Sequence, residues 1–310
     1  MRCCLTEGRM WLERLLAQVA EPSVLRASAL SGAGLLAYRQ GDYAASQEFH
    51  TASLAIWRSV DQRLGIVTAL NALGHVAIHR GDYALAQCLF EESLKLSQQL
   101  NDRRMIAGAY RALGLVAAHQ CDYERAMPLY NKSLATSRAS DDRHGIAITL
   151  SNLGDVLRSR EQYTDAAQCY GESLPLFRSL GDQHGIAWGL HNLGHIALAE
   201  GDAPKATARF KESLVLCRDL GAKVGIAYGL AGMAGVAVML GQLPHAARRL
   251  GAVEALLAAI RGRMNAADRV AYVRNIDSVR MVLDRGTFEA AWQHGRTCTV
   301  EQAIVEALDG

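Results

Sequence analysis

Residues 65–100 read GIVTALNALGHVAIHRGDYALAQCLFEESLKLSQQL, and this stretch decides the fold. Ile66, Leu70, Leu73, Ala77 and Ile78 recur at three- and four-residue spacing. That spacing lines one helix face, so Gly65 to Arg80 reads as a helix A. Gly81 follows as a stop, because glycine enters the left-handed backbone conformation without steric cost. Asp82 then fits an N-cap, accepting from free N–H groups of the next first turn. Leu85, Ala86, Cys88, Leu89, Phe90, Ser93 and Leu94 carry a helix B to about Leu100, and Asn101-Asp102 closes the unit. Gly74 sits inside helix A, where glycine costs about 1 kcal/mol against alanine. Close approach of helix B offsets that cost, with Ala86 as the small partner and Phe90 filling the gap.

The same unit recurs with a period of 40 residues. Gly41-Asp42-Tyr43 repeats as Gly81-Asp82-Tyr83 and degrades to Cys121-Asp122-Tyr123, Glu161-Gln162-Tyr163, Gly201-Asp202-Ala203 and Gly241-Gln242-Leu243. In the same register run Gly34, Gly74, Gly114, Gly154 and Gly194, then Ala234. Ser46, Ala86, Ala126, Ala166, Ala206 and Ala246 form a further column, as do Ser53-Leu54, Ser93-Leu94, Ser133-Leu134, Ser173-Leu174 and Ser213-Leu214. Gly65-Ile66, Gly145-Ile146, Gly185-Ile186 and Gly225-Ile226 complete the set. A helix pair repeated in register predicts an all-α chain, an α-α superhelix in which each pair buries one face against its neighbours.

Composition narrows the function. The 310 residues carry 33 Lys+Arg against 31 Asp+Glu, a formal charge of +2, whereas non-specific nucleic-acid binding needs a basic stripe to displace counterions. No apolar run reaches the roughly 18 residues of a membrane span, and Glu7, Arg9, Glu13 and Arg14 interrupt anything resembling a secretion signal. Seven cysteines, Cys3, Cys4, Cys88, Cys121, Cys169, Cys217 and Cys298, form no CxxC pair. This argues for a reducing, cytoplasmic setting and against a zinc framework. Cys88, Cys169 and Cys217 read as small buried hydrophobes.

Leu73-Gly74, Gly81, Tyr83, Ala86 and Phe90 together resemble the tetratricopeptide repeat, here lengthened from the family's usual 34 residues. The Gly-Asp-x-x-Gly-Ile links are similar to those of Pins-type and kinesin-light-chain-type scaffolds. The family's proline near the end of helix B is missing; Gln98 and Arg138 lie in that region. The resemblance runs from Leu25 to about Leu257.

The expected organisation is a partial repeat over 1–20, a solenoid of about six helix pairs over 21–260, and a helical tail over 261–310 that packs on the last repeat. Glu7 to Leu16 reads as a lone helix B without its helix A, which suggests a chain cut from a longer one; a natural frayed end is the other reading. The period breaks after Arg249, and Gly251 to Ile260 reads as one apolar helix. In the tail, Asn265 fits a cap, and Val270, Val273, Ile276, Val279, Val282 and Leu283 form a stripe. Phe288 and Trp292 share a third helix, and Thr299-Val300-Glu301-Gln302 fits a capping box. The seven Arg and seven acidic residues from Arg261 onward do not make a basic arm.

Three features look like the C-terminal part of bacterial MalT-like or LuxR-type regulators. They are Glu7-Gly8-Arg9 with Trp11 to Arg14, the links typified by Leu180 to Ala187, and Phe288 to Trp292 with Gly295-Arg296. That resemblance implies a signal-sensing or partner-binding arm, with an ATPase module upstream in a longer chain. This sequence itself has no GxxxxGK[ST] phosphate loop.

In the tetratricopeptide family helix A lines the concave surface. The corresponding positions are Asn71, His75, Ile78 and His79; Arg111, Leu115 and His119; Ser151, Asn152, Asp155 and Arg158; and Trp188, His191, Asn192 and His195. Asparagines there can bracket the backbone of an extended peptide, offering donor and acceptor together. Trp188 and Tyr228 offer aromatic anchors. His75 with His79, and His191 with His195, are i, i+4 pairs, a spacing that suits two metal ligands. No HExxH accompanies them, and no nearby Cys completes a set, so they read as groove-lining side chains without a metal or other cofactor. Asp155 and Arg158 read as an ordinary i, i+3 ion pair. No GxSxG elbow, GxGxxG loop or carboxylate pair assembles. The function expected is a non-catalytic scaffold that binds a protein or extended peptide, with no direct contact to nucleic acid or membrane. A small-molecule sensor is the alternative.

Overall fold

The computed structural model describes residues 2–18, 21–260 and 264–309. Among the described residues the regular structure is helical throughout, in sixteen helices. The first, α1 (Arg2–Gln18), precedes six helix-A/helix-B pairs. These are α2 (Val24–Arg39) and α3 (Tyr43–Ser59), α4 (Arg63–Arg80) and α5 (Tyr83–Gln99), and α6 (Arg103–His119) and α7 (Tyr123–Ala139). They continue with α8 (Arg143–Ser159) and α9 (Tyr163–Leu180), α10 (Gln183–Ala199) and α11 (Ala203–Asp219), and α12 (Lys223–Met239) and α13 (Leu243–Ile260). The tail holds α14 (Ala266–Val282), α15 (Arg285–Thr297) and α16 (Val300–Asp309). Two compact units, Met1–Asn152 and Leu153–Gly310, divide the chain within α8.

The sequence columns are the packing rules of the pairs. A Cβ on Gly74 would lie 2.5 Å from the Phe90 ring, one on Gly114 2.7 Å from Tyr130, and one on Gly194 2.7 Å from Phe210. In every case the ring sixteen residues later occupies the space that a side chain on helix A would need. Close approach at Gly74 is therefore as expected, but the approaching group is the fully buried Phe90 ring rather than Ala86. The Gly-Ile links follow the same logic one junction on: a Cβ on Gly65 would lie 2.3 Å from Trp57, and one on Gly185 2.3 Å from Phe177. The serine column ties helix B to helix A. The Ser53, Ser133 and Ser213 hydroxyls donate to the Ala27, Ala107 and Ala187 carbonyls, each at 2.8 Å. All three serines are buried, so these bonds satisfy groups that would otherwise be costly to leave dry.

Helix ends follow the expected chemistry. Asp82 accepts from the Leu85 N–H at 3.0 Å and Asp122 from the Arg125 N–H at 3.1 Å. Gly81 is left-handed at φ +79°. Where the glycine is lost the backbone keeps that conformation: Cys121 has φ +61° and Glu161 φ +59°.

At the start, Leu16 of α1 joins Ala27 and Leu30 of α2 in a buried cluster, and Arg9 pairs with Asp42 at 2.9 Å. At the other end, α13 runs unbroken through Gly251, so the end of the period at Arg249 is not the end of a helix. Gly251 and Gly295 let α13 and α15 meet backbone to backbone: added Cβ atoms would fall 2.3 Å from the Trp292 carbonyl oxygen and 1.8 Å from that of Arg248. Phe288 and Trp292 stack at 5.3 Å and pack with Leu250 and Val279. Asn265 caps α14 through the Asp268 N–H at 2.9 Å. The capping box at Thr299 forms in both directions, at 2.8 and 3.2 Å.

Two expectations need correction. Val270, Val273 and Val282 are exposed and only Val279 of the predicted α14 stripe is fully buried, because α14 packs through the face carrying Tyr272, Ile276 and Val279. Cys88 is exposed on the outer side of α5, whereas Cys217 is buried against Gly225.

Candidate functional site

The predicted groove residues fall in two settings, one in each unit. In the first unit, Asn71 and His75 lie one turn apart on α4 and are half-buried. The Asn71 Oδ1 accepts from the Ser93 hydroxyl at 2.8 Å, which spends one of its acceptor positions inside the repeat. The His75 ring meets Phe90 edge-on at 5.3 Å. Burial, helped by the neighbouring Arg111 and His79, pushes its imidazole down to about 4, so it is neutral near pH 7. Burial also lowers the Arg111 pKa, against the opposing pull of Asp142. Among the described residues Arg111 makes no ion pair and no hydrogen bond. His79 stacks on Tyr43 at 4.8 Å, and His119 stacks on Tyr83 at 6.0 Å. These two form part of the seam between successive pairs, where a Tyr at the start of helix B meets a His near the end of the next helix A. Asn152, on α8 at the limit of this unit, is half-buried.

In the second unit the predicted residues converge on groups that the sequence reading did not single out. Asp155 accepts from the Tyr170 hydroxyl at 2.5 Å and from the Trp188 Nε1 at 3.1 Å. Its burial raises the carboxyl to about 6 despite those bonds. Arg158 forms an ion pair with Asp268 on α14 at 3.0 Å, so its close partner is Asp268 rather than Asp155. Burial works against ionisation of Asp268, but the Arg158 guanidinium overrides it and holds the carboxyl below the usual carboxylate range. His191 and His195 approach the same carboxylate at 3.5 and 3.3 Å. Trp188 stacks on His191 at 5.4 Å, and Tyr228 stands edge-on to both. The Tyr228 hydroxyl accepts from the Asn265 N–H at 2.9 Å, fixing the start of α14.

The expectation that these positions face solvent is corrected for three of them. His191 and Asn192 are buried and Arg158 is 8% exposed; Asp268 in the first turn of α14 lies against His191 and Arg158. Asn192 donates to the Trp188 carbonyl at 3.2 Å within its own helix. Trp188 is half-buried and Tyr228 buried, and their rings meet edge-on at 5.5 Å. The group missed was Asp268. An acid in the first turn after an Asn cap reads as ordinary helix-start chemistry, and nothing in the local pattern shows that it faces another helix.

Residues 25–99 and 105–179 match the tetratricopeptide repeat family model. No curated protein matches the chain significantly in sequence. Solved structures share the fold at low identity. A Rap protein complexed with Competence and Sporulation Factor is 13% identical, with TM-score 0.69 over 95% of this chain and 81% of its own. The apo quorum sensor NprR from B. thuringiensis is 14% identical, with TM-score 0.58 over 90% of this chain and 82% of its own. BtubC from P. vanneervenii is 18% identical, with TM-score 0.53 over 71% of this chain and 90% of its own. Among the described residues no helix is long and apolar enough to cross a membrane.

Proposed function

We propose that the chain is a non-catalytic interaction scaffold, the partner-binding repeat arm of a bacterial signal-transduction or transcriptional regulator. Its partner is a peptide or protein segment carrying an acidic group, held on the helix-A face of the first unit. The observation that carries this reading is Arg111: a half-buried cation beside a neutral His75, with no ion pair among the described residues. Asp142 acts on this guanidinium without an ion pair, and a partner carboxylate would supply the missing close contact through charge-assisted, bidentate hydrogen bonds. Asn71 and Asn152 would flank it with amide donors and acceptors. The tetratricopeptide repeats and the likeness to a Rap protein solved with a bound factor support an interaction role.

Peptide display against the chain tests this. Selected peptides should be rich in Asp, Glu or a free C-terminal carboxylate. Arg111→Met should weaken them by about tenfold or more, as loss of a hydrogen-bonded charge costs about 1.5–3 kcal/mol. Glu92→Ala, on the outer helix-B face, should leave affinity unchanged. Selection without acidic enrichment, or equal affinity for Arg111→Met, would overturn the assignment. A thermal-shift response to carboxylated metabolites in place of peptides would move it to the small-molecule reading.

A further inference from the structure

The second unit holds a cluster that partner binding at Arg111 does not use. His191 and His195 project from adjacent turns of α10, and Asp268 meets them from the first turn of α14. One donor atom from each of the three lies within 4.8 Å of the others. We propose that His191, His195 and Asp268 form a binding site for a divalent transition metal of the zinc class.

Geometry comes first. Ligand atoms about 2.0–2.2 Å from a tetrahedral zinc stand roughly 3.4 Å from one another. The His191 Nε2 lies 3.5 Å from the Asp268 Oδ2 and the His195 Nε2 3.3 Å from its Oδ1, so each imidazole faces one oxygen of the same carboxylate. Those separations are long for hydrogen bonds and right for two ligands sharing one ion. Two imidazoles and one carboxylate are also the ligand types that zinc and its neighbours prefer.

Unmet bonding points the same way. His191 is 2% exposed, yet neither of its ring nitrogens makes a hydrogen bond, nor does the Nε2 of His195. Buried polar nitrogens are paired in nearly all native structures, so orphans in one place need an occupant. Asp268 is held by Arg158 at 3.0 Å, the kind of outer-shell bond that orients a ligating carboxylate. Trp188 and Phe210 wall the imidazoles against water. Three protein ligands leave one position for water or for a donor from a partner. A bound ion would also clip α14 to α10, joining the tail to the repeats.

Cobalt substitution tests this on the full chain after dialysis against a chelator. Titration with Co²⁺ should saturate at one ion per chain with the visible bands of a low-coordinate ion, and Zn²⁺ should displace it and raise Tm. His191→Gln and His195→Gln should each lose more than the ~10–100-fold typical of an outer-shell partner, whereas Arg158→Lys should fall within that range. His184→Gln, exposed at the start of α10, should bind like the parent. The site is refuted if the folded parent chain shows no saturable Co²⁺ or Zn²⁺ binding. It is refuted equally if either ligand variant retains parental affinity. The parent titration decides the matter even where a variant fails to fold.

Discussion

Gly74→Ala should destabilise the first unit, although alanine is the better helix former. The new Cβ would lie 2.5 Å from two Phe90 ring carbons. Ordinary carbon contacts are about 3.5–4.0 Å, so the ring or the helix must retreat by about 1 Å. Phe90 is fully buried and has no solvent side to swing towards. Overpacking of this kind costs about 1–3 kcal/mol. Alanine returns about 1 kcal/mol of helix propensity, which leaves a net loss of about 0–2 kcal/mol. Gly74→Leu adds three more carbons and should lose more. Gly171→Ala in α9 is the matched control, since an added Cβ there meets nothing within 4 Å. That change should stabilise by about 0.5–1 kcal/mol. Urea unfolding followed by far-UV circular dichroism reads both midpoints. Phe90→Leu in the Gly74→Ala background should recover part of the loss, because it removes the clashing atoms. If Gly74→Ala and Gly171→Ala shift the midpoint equally upward, the glycine column is not a packing device and the account of the pairs is wrong.

Glu161→Gly should stabilise the second unit by a few tenths to about 1 kcal/mol, because its φ of +59° strains any L side chain; Gly81→Ala, at φ +79°, is the mirror experiment and should destabilise by about 1–2 kcal/mol, with both read from urea midpoints. His75, pushed down to about 4 by burial and by Arg111 and His79, titrates near ~6.5 when unfolded. Between those values the unfolded chain binds the extra proton, so stability is full above about 6.5, falls as the pH drops, and levels off below about 4. His75→Gln should flatten that acid limb, and a His75 ring resonance titrating near 6.5 in the native protein would refute the burial argument.

The repeat was legible because a 40-residue register imposes the same steric problem again and again. Gly74, Gly114 and Gly194 form a column in the sequence, and Phe90 is legible there as the group that fills the gap at Gly74. That Tyr130 and Phe210 fill the same space at Gly114 and Gly194 is read from the structure. The caps at Asn265 and Thr299 were equally legible, since capping is a local exchange between residues three apart.

The candidate sites divided along the same line. Helix periodicity put Asn71, His75, Arg111, Asp155, Arg158, His191 and His195 at helix-A positions, and the i, i+4 spacing put both imidazoles of the second unit on one face. Sequence by itself therefore determined the helix pairs, their register and the face that carries the polar side chains, because each depends on neighbours within a few turns or one repeat. It could not reveal that the first turn of α14 comes down on Arg158, His191 and His195, nor that Asp268 joins them. That placement depends on how the tail packs through Val279, Phe288 and Trp292 against Leu250. Only tertiary structure decided it, because a contact between residues separated by more than 70 positions leaves no local period to read.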